Sequence, residues 1–241
     1  MTDRAISDVV SYIMVLALIL AAVGIVSTAG FATIEDRQDG EQVNNVERAF
    51  DVFDNNMQDI YLRGAPSRAT EMRLSGGTLR YGERVNITVE DQDTGANVTA
   101  RPRPLIYSNH GTEIVYTSGA IIRTDGDSSV MLNEPPFRFE DDRSIVLLIE
   151  TSRPSDQSST SGQGTVRVTS TSRSINGTVP ASLREPTNGV TITVESPRAD
   201  AWERYFQSHG DVTRNGNEVT VEVDTERVTA TRFRIRLRFV R

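Results

Sequence analysis

The chain has 241 residues, 26 of them basic and 33 acidic, a net charge of −7 and no cysteine. The missing cysteine excludes a disulfide framework and thiol chemistry, and the acidic balance argues against nucleic acid as a partner, which wants a basic field. All 26 basic residues are arginine. Carboxylates hold water and cations, and arginine pairs with them bidentately; adaptation to brine is the preferred account of that combination, ahead of chance in a GC-rich genome.

From Val9 to Phe31 the chain runs for 23 residues without a charge. At ~1.5 Å per residue a helix of that length covers ~34 Å, enough for a hydrocarbon core of ~30 Å. Only a helix satisfies its own backbone in lipid. A secretory signal has a shorter apolar region and a small-residue cleavage site beyond it; here the run passes into Ala32-Thr33-Ile34-Glu35-Asp36. Retention in the membrane is the expectation. Arg4 precedes the span, while Glu35, Asp36 and Arg37 follow it, which favours a cytoplasmic N-terminus. The polar remainder carries three Asn-x-Ser/Thr sequons, at Asn86, Asn97 and Asn176, candidates for N-glycosylation of an extracellular domain.

The segment Arg4-Ala5-Ile6-Ser7-Asp8-Val9-Val10 resembles the class III signal of haloarchaeal type IV pilin-like membrane proteins: a short charged leader, then Arg-Ala, then the apolar helix. The resemblance implies cleavage between Ala5 and Ile6 on the cytoplasmic side, with the helix kept in the product. It also implies envelope partners, either pilin-like subunits or other surface proteins, beside membrane lipid.

Past Asp39-Gly40 a second helical pattern begins. Val43, Val46, Phe50, Phe53, Met57 and Ile60 recur at spacings of 3 and 4, a heptad-like stripe. Asn44, Glu47, Arg48, Asp51, Asp54 and Asp59 are expected on the solvated face. The stripe suits a helix lying on its own domain more than one that self-associates, because fewer than three heptads is short for an independent coiled coil. Arg63-Gly64-Ala65-Pro66 closes it.

From Thr70 onward the pattern is β. Strands are expected within residues 80–90, 105–107, 113–118, 120–123, 144–151, 165–172 and 190–195, separated by Gly76-Gly77, Thr124-Asp125-Gly126-Asp127 and similar turns. Many short strands of this kind suggest a β-sandwich or curled sheet. Residues 155–164, Ser-Asp-Gln-Ser-Ser-Thr-Ser-Gly-Gln-Gly, read as a flexible loop. Ser196-Pro197 predicts a helix start, with Trp202, Tyr205 and Phe206 on its core face. Asn215-Gly216 predicts a tight hairpin turn into residues 218–224.

In the final strand Arg232, Arg234, Arg236 and Arg238 alternate with Phe233, Ile235, Leu237 and Phe239. An arginine row invites a nucleic-acid or lipid-headgroup partner. The preferred reading is structural: if the valines of the preceding strand share the apolar face, Glu222 and Asp224 sit opposite the arginines in a cross-strand ladder.

His110 and His209 are the two histidines, and no Gly-rich phosphate loop, nucleophile elbow or HExxH sequence is present. Asp91/Asp93 and Asp125/Asp127 read as surface pairs. No catalytic, cofactor-binding or metal residues are expected, and no enzyme activity. The expected organisation is a leader (1–5), a transmembrane helix (6–34), an amphipathic helix or stalk (35–64) and an extracellular β-rich domain (65–241). The fold class is mainly β: an N-terminal transmembrane helix extended by a second helix, then a β-sandwich-like domain with one short helix near the C-terminus. The expected role is that of a pilin-like, single-pass surface protein with a structural or interaction role in the envelope, including that of a minor pilin. The alternative is a non-assembling module that binds a ligand or carbohydrate.

Overall fold

Period-2 alternation and 3–4 spacing set the local structure, and a computed structural model shows how the elements assemble. It describes the backbone of residues 2–140, 142–174 and 188–240, and the side chains of residues 10, 12–26, 40–140, 142–173 and 188–240. The chain divides into two compact units, Met1–Asn44 and Asn45–Arg241.

Helix α1 is Thr2–Tyr61, so the two expected helical stretches run on as one helix. Residues 32–44 contain no proline, and the lone Gly40 costs a helix only about 1 kcal/mol relative to alanine. In the first unit the described side chains of the apolar run stand exposed on every side, from Val10 and Tyr12 through Leu18 to Val26. Among the described residues no helix is long and apolar enough to cross a membrane; the flanks of the run, residues 9, 11 and 27–31, lie outside the described side chains. Ala5 and Ile6 fall within the helical backbone.

In the second unit the stripe Val46, Phe50, Phe53, Met57 and Ile60 is buried. Sixteen strands are described after the helix. The first eight are β1 (Ser67–Arg73), β2 (Thr78–Tyr81), β3 (Asn86–Asp91), β4 (Asn97–Ala100), β5 (Leu105–Asn109), β6 (Thr112–Thr117), β7 (Ala120–Asp125) and β8 (Ser128–Asn133). Next come β9 (Phe137–Glu140), β10 (Arg143–Ser152), β11 (Ser159–Ser161), β12 (Thr165–Ser174) and β13 (Val190–Glu195). Helix α2 (Ala199–Phe206) then precedes β14 (Asp211–Asn215), β15 (Glu218–Val223) and β16 (Val228–Val240).

The strands form three sheets, ordered β1-β12-β16-β10-β9, β11-β2-β5-β6-β7-β8 and β14-β15-β13-β3-β4. The protein is thus mainly β, consistent with a sandwich-like domain. Tight turns set the hairpins: His110-Gly111 between β5 and β6, and Ser118-Gly119 between β6 and β7, all have positive φ, as a two-residue type I′ turn requires. At Gly119 a Cβ would lie 2.3 Å from Pro136 Cδ, so glycine is needed there for space as well. The β10–β16 pairing is parallel. Parallel neighbours need a long crossover, and residues 153–227 provide it, carrying the whole of α2 and β11 to β15.

Alternation divides the apolar residues between two sides. Val115, Ile122, Val146 and Leu148 join Ile87, Ile192, Val221 and Trp202 in one core cluster. On the other side Phe53 meets Tyr116 edge-on at 5.0 Å and Tyr61 lies 5.8 Å from Phe233. Polar ties fasten the same helix: Arg123 to Glu47 at 3.0 Å, Asn133 to Asp51 at 3.0 Å and Asn56 to Thr70 at 2.9 Å. The stripe therefore lies on its own β unit.

Three local expectations need correction. Asp54 is not on a solvated face but 6% exposed. It adjoins the buried stripe at Phe53, and a buried stripe wider than two positions per heptad takes in its flanking residue. Helix α2 starts at Ala199, not at Ser196-Pro197; its N-cap is Arg198, whose N–H donates to Ser196 Oγ at 3.2 Å. The loop at 155–164 holds strand β11, which pairs with β2. As expected, Trp202, Tyr205 and Phe206 are core, and Asn215 and Glu218 close a two-residue hairpin.

Candidate functional site

Strand β16 changes character along its length. On one face Val228 and Ala230 are buried in the core, and the same face continues as Arg232, Arg234, Arg236 and Arg238. The opposite face carries Ile235, Leu237 and Phe239, all buried. The expected ladder to Glu222 and Asp224 does not form. β15 lies in another sheet between β13 and β14, while β16 takes β12 and β10 as neighbours. Alternation fixes which residues share a face but not which strand lies beside them.

Glu150 on β10 stands opposite Arg234 in register. Its carboxylate is 3.7 Å from Arg232 and 3.9 Å from Arg234. Arg232 is also tied by a 2.8 Å bond to the Thr99 carbonyl. Glu150, Ser152, Arg173, Arg234 and Arg236 line a depression of about 300 Å³. Three guanidiniums against one carboxylate leave a local excess of two positive charges (3 − 1), in a chain of net −7. Arg234 is half exposed at its side chain, and Arg236 Nε is buried without a hydrogen-bond partner. The same sheet face continues over Thr171, paired with Arg236, and Ser67, paired with Thr171.

A second cleft of about 450 Å³ is lined by Arg80, Arg84, Asn86, Glu195 and Arg198, among others. Beside it Glu113 binds Arg80 at 2.7 Å and Arg198 at 2.5 Å. Burial lowers the pKa of Arg198, and the adjacent Glu113 offsets only part of that shift. A third cavity, of about 410 Å³, lies beside Asp54, Gln58, Tyr61, Glu134 and Arg138. Burial pushes the Asp54 carboxyl up to about 6 from its ordinary 3.8; the Gln58 amide, bonded at 2.8 Å, opposes that shift and Asp51 adds to it.

The residues singled out in the sequence are not gathered into one site. Asn86 sits on β3 with its amide donating to Glu195 at 2.7 Å, at the edge of the second cleft. Asn97 is exposed on β4, and Asn176 lies outside the described residues. Asp91 is buried, its Oδ1 accepting from the Asp93 and Thr94 N–H groups in a turn. Asp125 pairs with Arg123 and Thr112. Among the described residues no three His, Cys, Asp or Glu side chains group as a metal site. His209 packs against Tyr205 and Phe139. The Glu113 cluster, and the placing of Glu150, Ser152 and Arg173 beside the arginine row, carried no signal in the sequence, because their members come from distant strands.

A family model matches residues 4–238, and its description is a family of unknown function, DUF7289. The chain belongs to DUF7289. No curated protein and no solved structure matches it. The DUF7289 match begins before the apolar run and continues into β16, so it takes in both units.

Proposed function

We propose that this DUF7289 chain is a membrane-anchored, pilin-like cell-surface protein: the apolar segment sits in lipid, the N-terminus faces the cytoplasm, and the β unit acts outside in a structural or interaction role. The observation that carries this reading is the 23-residue uncharged run, whose described side chains are exposed on all sides. Apolar surface left in water costs about 25 cal/mol per Å², and a hydrocarbon environment removes that cost. The Arg4-Ala5-Ile6 signal adds support through its resemblance to class III leaders, as do the sequons at Asn86 and Asn97. N-terminal sequencing of protein extracted from membranes tests it. A start at Ile6 is expected; a start at Met1 or near Ala29 overturns the pilin-like reading, and recovery in the soluble fraction overturns the anchor.

A second reading, a surface module that binds a ligand without assembling, is favoured by the open arginine depression. Purified cell-surface filaments distinguish the two: the chain is present in them if it assembles and absent if it serves as a separate module.

A further inference from the structure

We propose that the arginine-bearing face of β16 binds an acidic glycan, with the depression formed by Glu150, Ser152, Arg173, Arg234 and Arg236 as the seat of one sugar carboxylate or sulfate. This rests on the reading of the β unit as an exposed interaction module. The positive charge there is not neutralised from within: Glu222 and Asp224 are in a different sheet, and Glu150 approaches Arg232 and Arg234 only at 3.7 and 3.9 Å. The guanidiniums are well held for binding. β16 has strands on both sides, so its backbone is fixed, and alternate residues along a strand recur every ~7 Å. A planar guanidinium bonds carboxylate or sulfate in bidentate fashion.

The floor of the face decides the class of anion. Thr169 and Thr171 of β12 pair with Arg238 and Arg236, Ser67 pairs with Thr171, and Ser152 lines the depression. Hydroxyls interleaved with guanidiniums suit a ligand that carries both hydroxyls and spaced charges. Of the alternate positions on β12, Arg167 and Thr171 are exposed and Thr169 is half-buried; on β1, Ser67, Ala69 and Glu71 are exposed. None is aromatic, so nucleobases find no stacking platform. None is a large apolar residue that would enter a lipid surface. A densely charged duplex, with one charge per ~1.7 Å, also meets the repulsion of a chain of net −7, which a sparsely charged glycan meets less.

The test uses the full chain in mild detergent at low ionic strength, titrated calorimetrically with an oligogalacturonate of defined length. Controls are a neutral malto-oligosaccharide of equal length and a single-stranded DNA oligomer. Binding of oligogalacturonate alone is expected, weakened about tenfold or more in Arg234→Gln/Arg236→Gln, since hydrogen bonds to charged groups are among the stronger ones. The melting temperature of that variant should match the wild type, and Arg214→Gln, on β14, should bind normally. No heat with oligogalacturonate, equal binding by the double variant, or tighter binding of DNA would overturn the proposal. So would a dimer that dissociates in the double variant, which would assign the face to a second copy of the chain. Failure here with a mature start at Ile6 and membrane recovery intact would remove the glycan alone and leave the anchoring proposal standing.

Discussion

Arginines gather around a single glutamate at two places in the β unit, and the two clusters differ in how tightly they close. At Glu113 both carboxylate oxygens are taken, by Arg80 at 2.7 Å and Arg198 at 2.5 Å, and the Arg198 side chain is 11% exposed. At Glu150 the nearest guanidinium atoms stand at 3.7 and 3.9 Å, and the Arg234 side chain is 53% exposed. The first cluster joins β2, β6 and the N-cap of α2, so its charges hold three elements in place. The second lies along three neighbouring strands, β12, β16 and β10, that backbone hydrogen bonds already join, so its charges are spare. Composition is nearly the same in both; burial and distance separate a structural group from an available one.

The sharpest break of that contrast lies directly behind the open cluster. Ile235 is 1% exposed on the reverse side of β16, and Ile235→Ala should cost about 2–5 kcal/mol in equilibrium unfolding. A harmless substitution would mean the strand is not packed as described. Next comes the closed cluster. Glu113→Ala leaves Arg198 nearly buried without its partner, and removing one member of a buried pair costs about 3–5 kcal/mol; the partial exposure of Glu113 brings the expected loss to roughly 2–3 kcal/mol by denaturant titration.

Asp54 is a carboxylate with no arginine at all, and it sharpens the comparison through pH. Its pKa in the folded protein is about 6, above the ordinary 3.8, so the native state holds the proton more tightly than the unfolded chain does. The group's contribution is fully present below pH ~4, is lost as pH rises to ~6, and then stays flat. Asp54→Asn should therefore stabilise the protein by roughly 2 kcal/mol at pH 7.5 and change little at pH 4. An equal effect at both values would show that the carboxyl titrates normally. The smallest effect belongs to the open cluster: Arg234→Ala should change stability by about 0–1 kcal/mol, measured beside Ile235→Ala on the same strand. A larger loss would place Arg234 with the structural arginines.

How much of this was legible in the sequence varied with the kind of information required. Strand β13 was read with its observed ends because Val190, Ile192 and Val194 alternate cleanly between turns. The same rule located β5, β6, β7, β10 and β12. It failed at β4, β8, β9, β11 and β14, which all stand at sheet edges, where burial on one face no longer writes a pattern. Neighbours were harder than strands. The valines of β15 face the core as expected, yet they do so in the third sheet, because many pairings satisfy one alternation. The candidate site was half legible: the arginine row could be seen, but Glu150, Ser152 and Arg173 lie far from it in the chain. Asp54 was misplaced because a polar residue beside a stripe gives no sign of how wide the contact will be.

The parallel pairing of β10 with β16 also has a consequence in time. β16 occupies the middle of its sheet, between β12 and β10, and follows every other strand of that sheet in chain order. Until it is in place, β1-β12 and β10-β9 are two separate ribbons, each too small to be stable alone. Chains generally fold from the N-terminal side as they emerge, but here the keystone strand comes last, and contacts across such sequence distances form slowly. That sheet therefore stays unfinished until β16 has followed all its other strands out. A chain shortened before residue 228 would lose the centre of a sheet and not merely an edge.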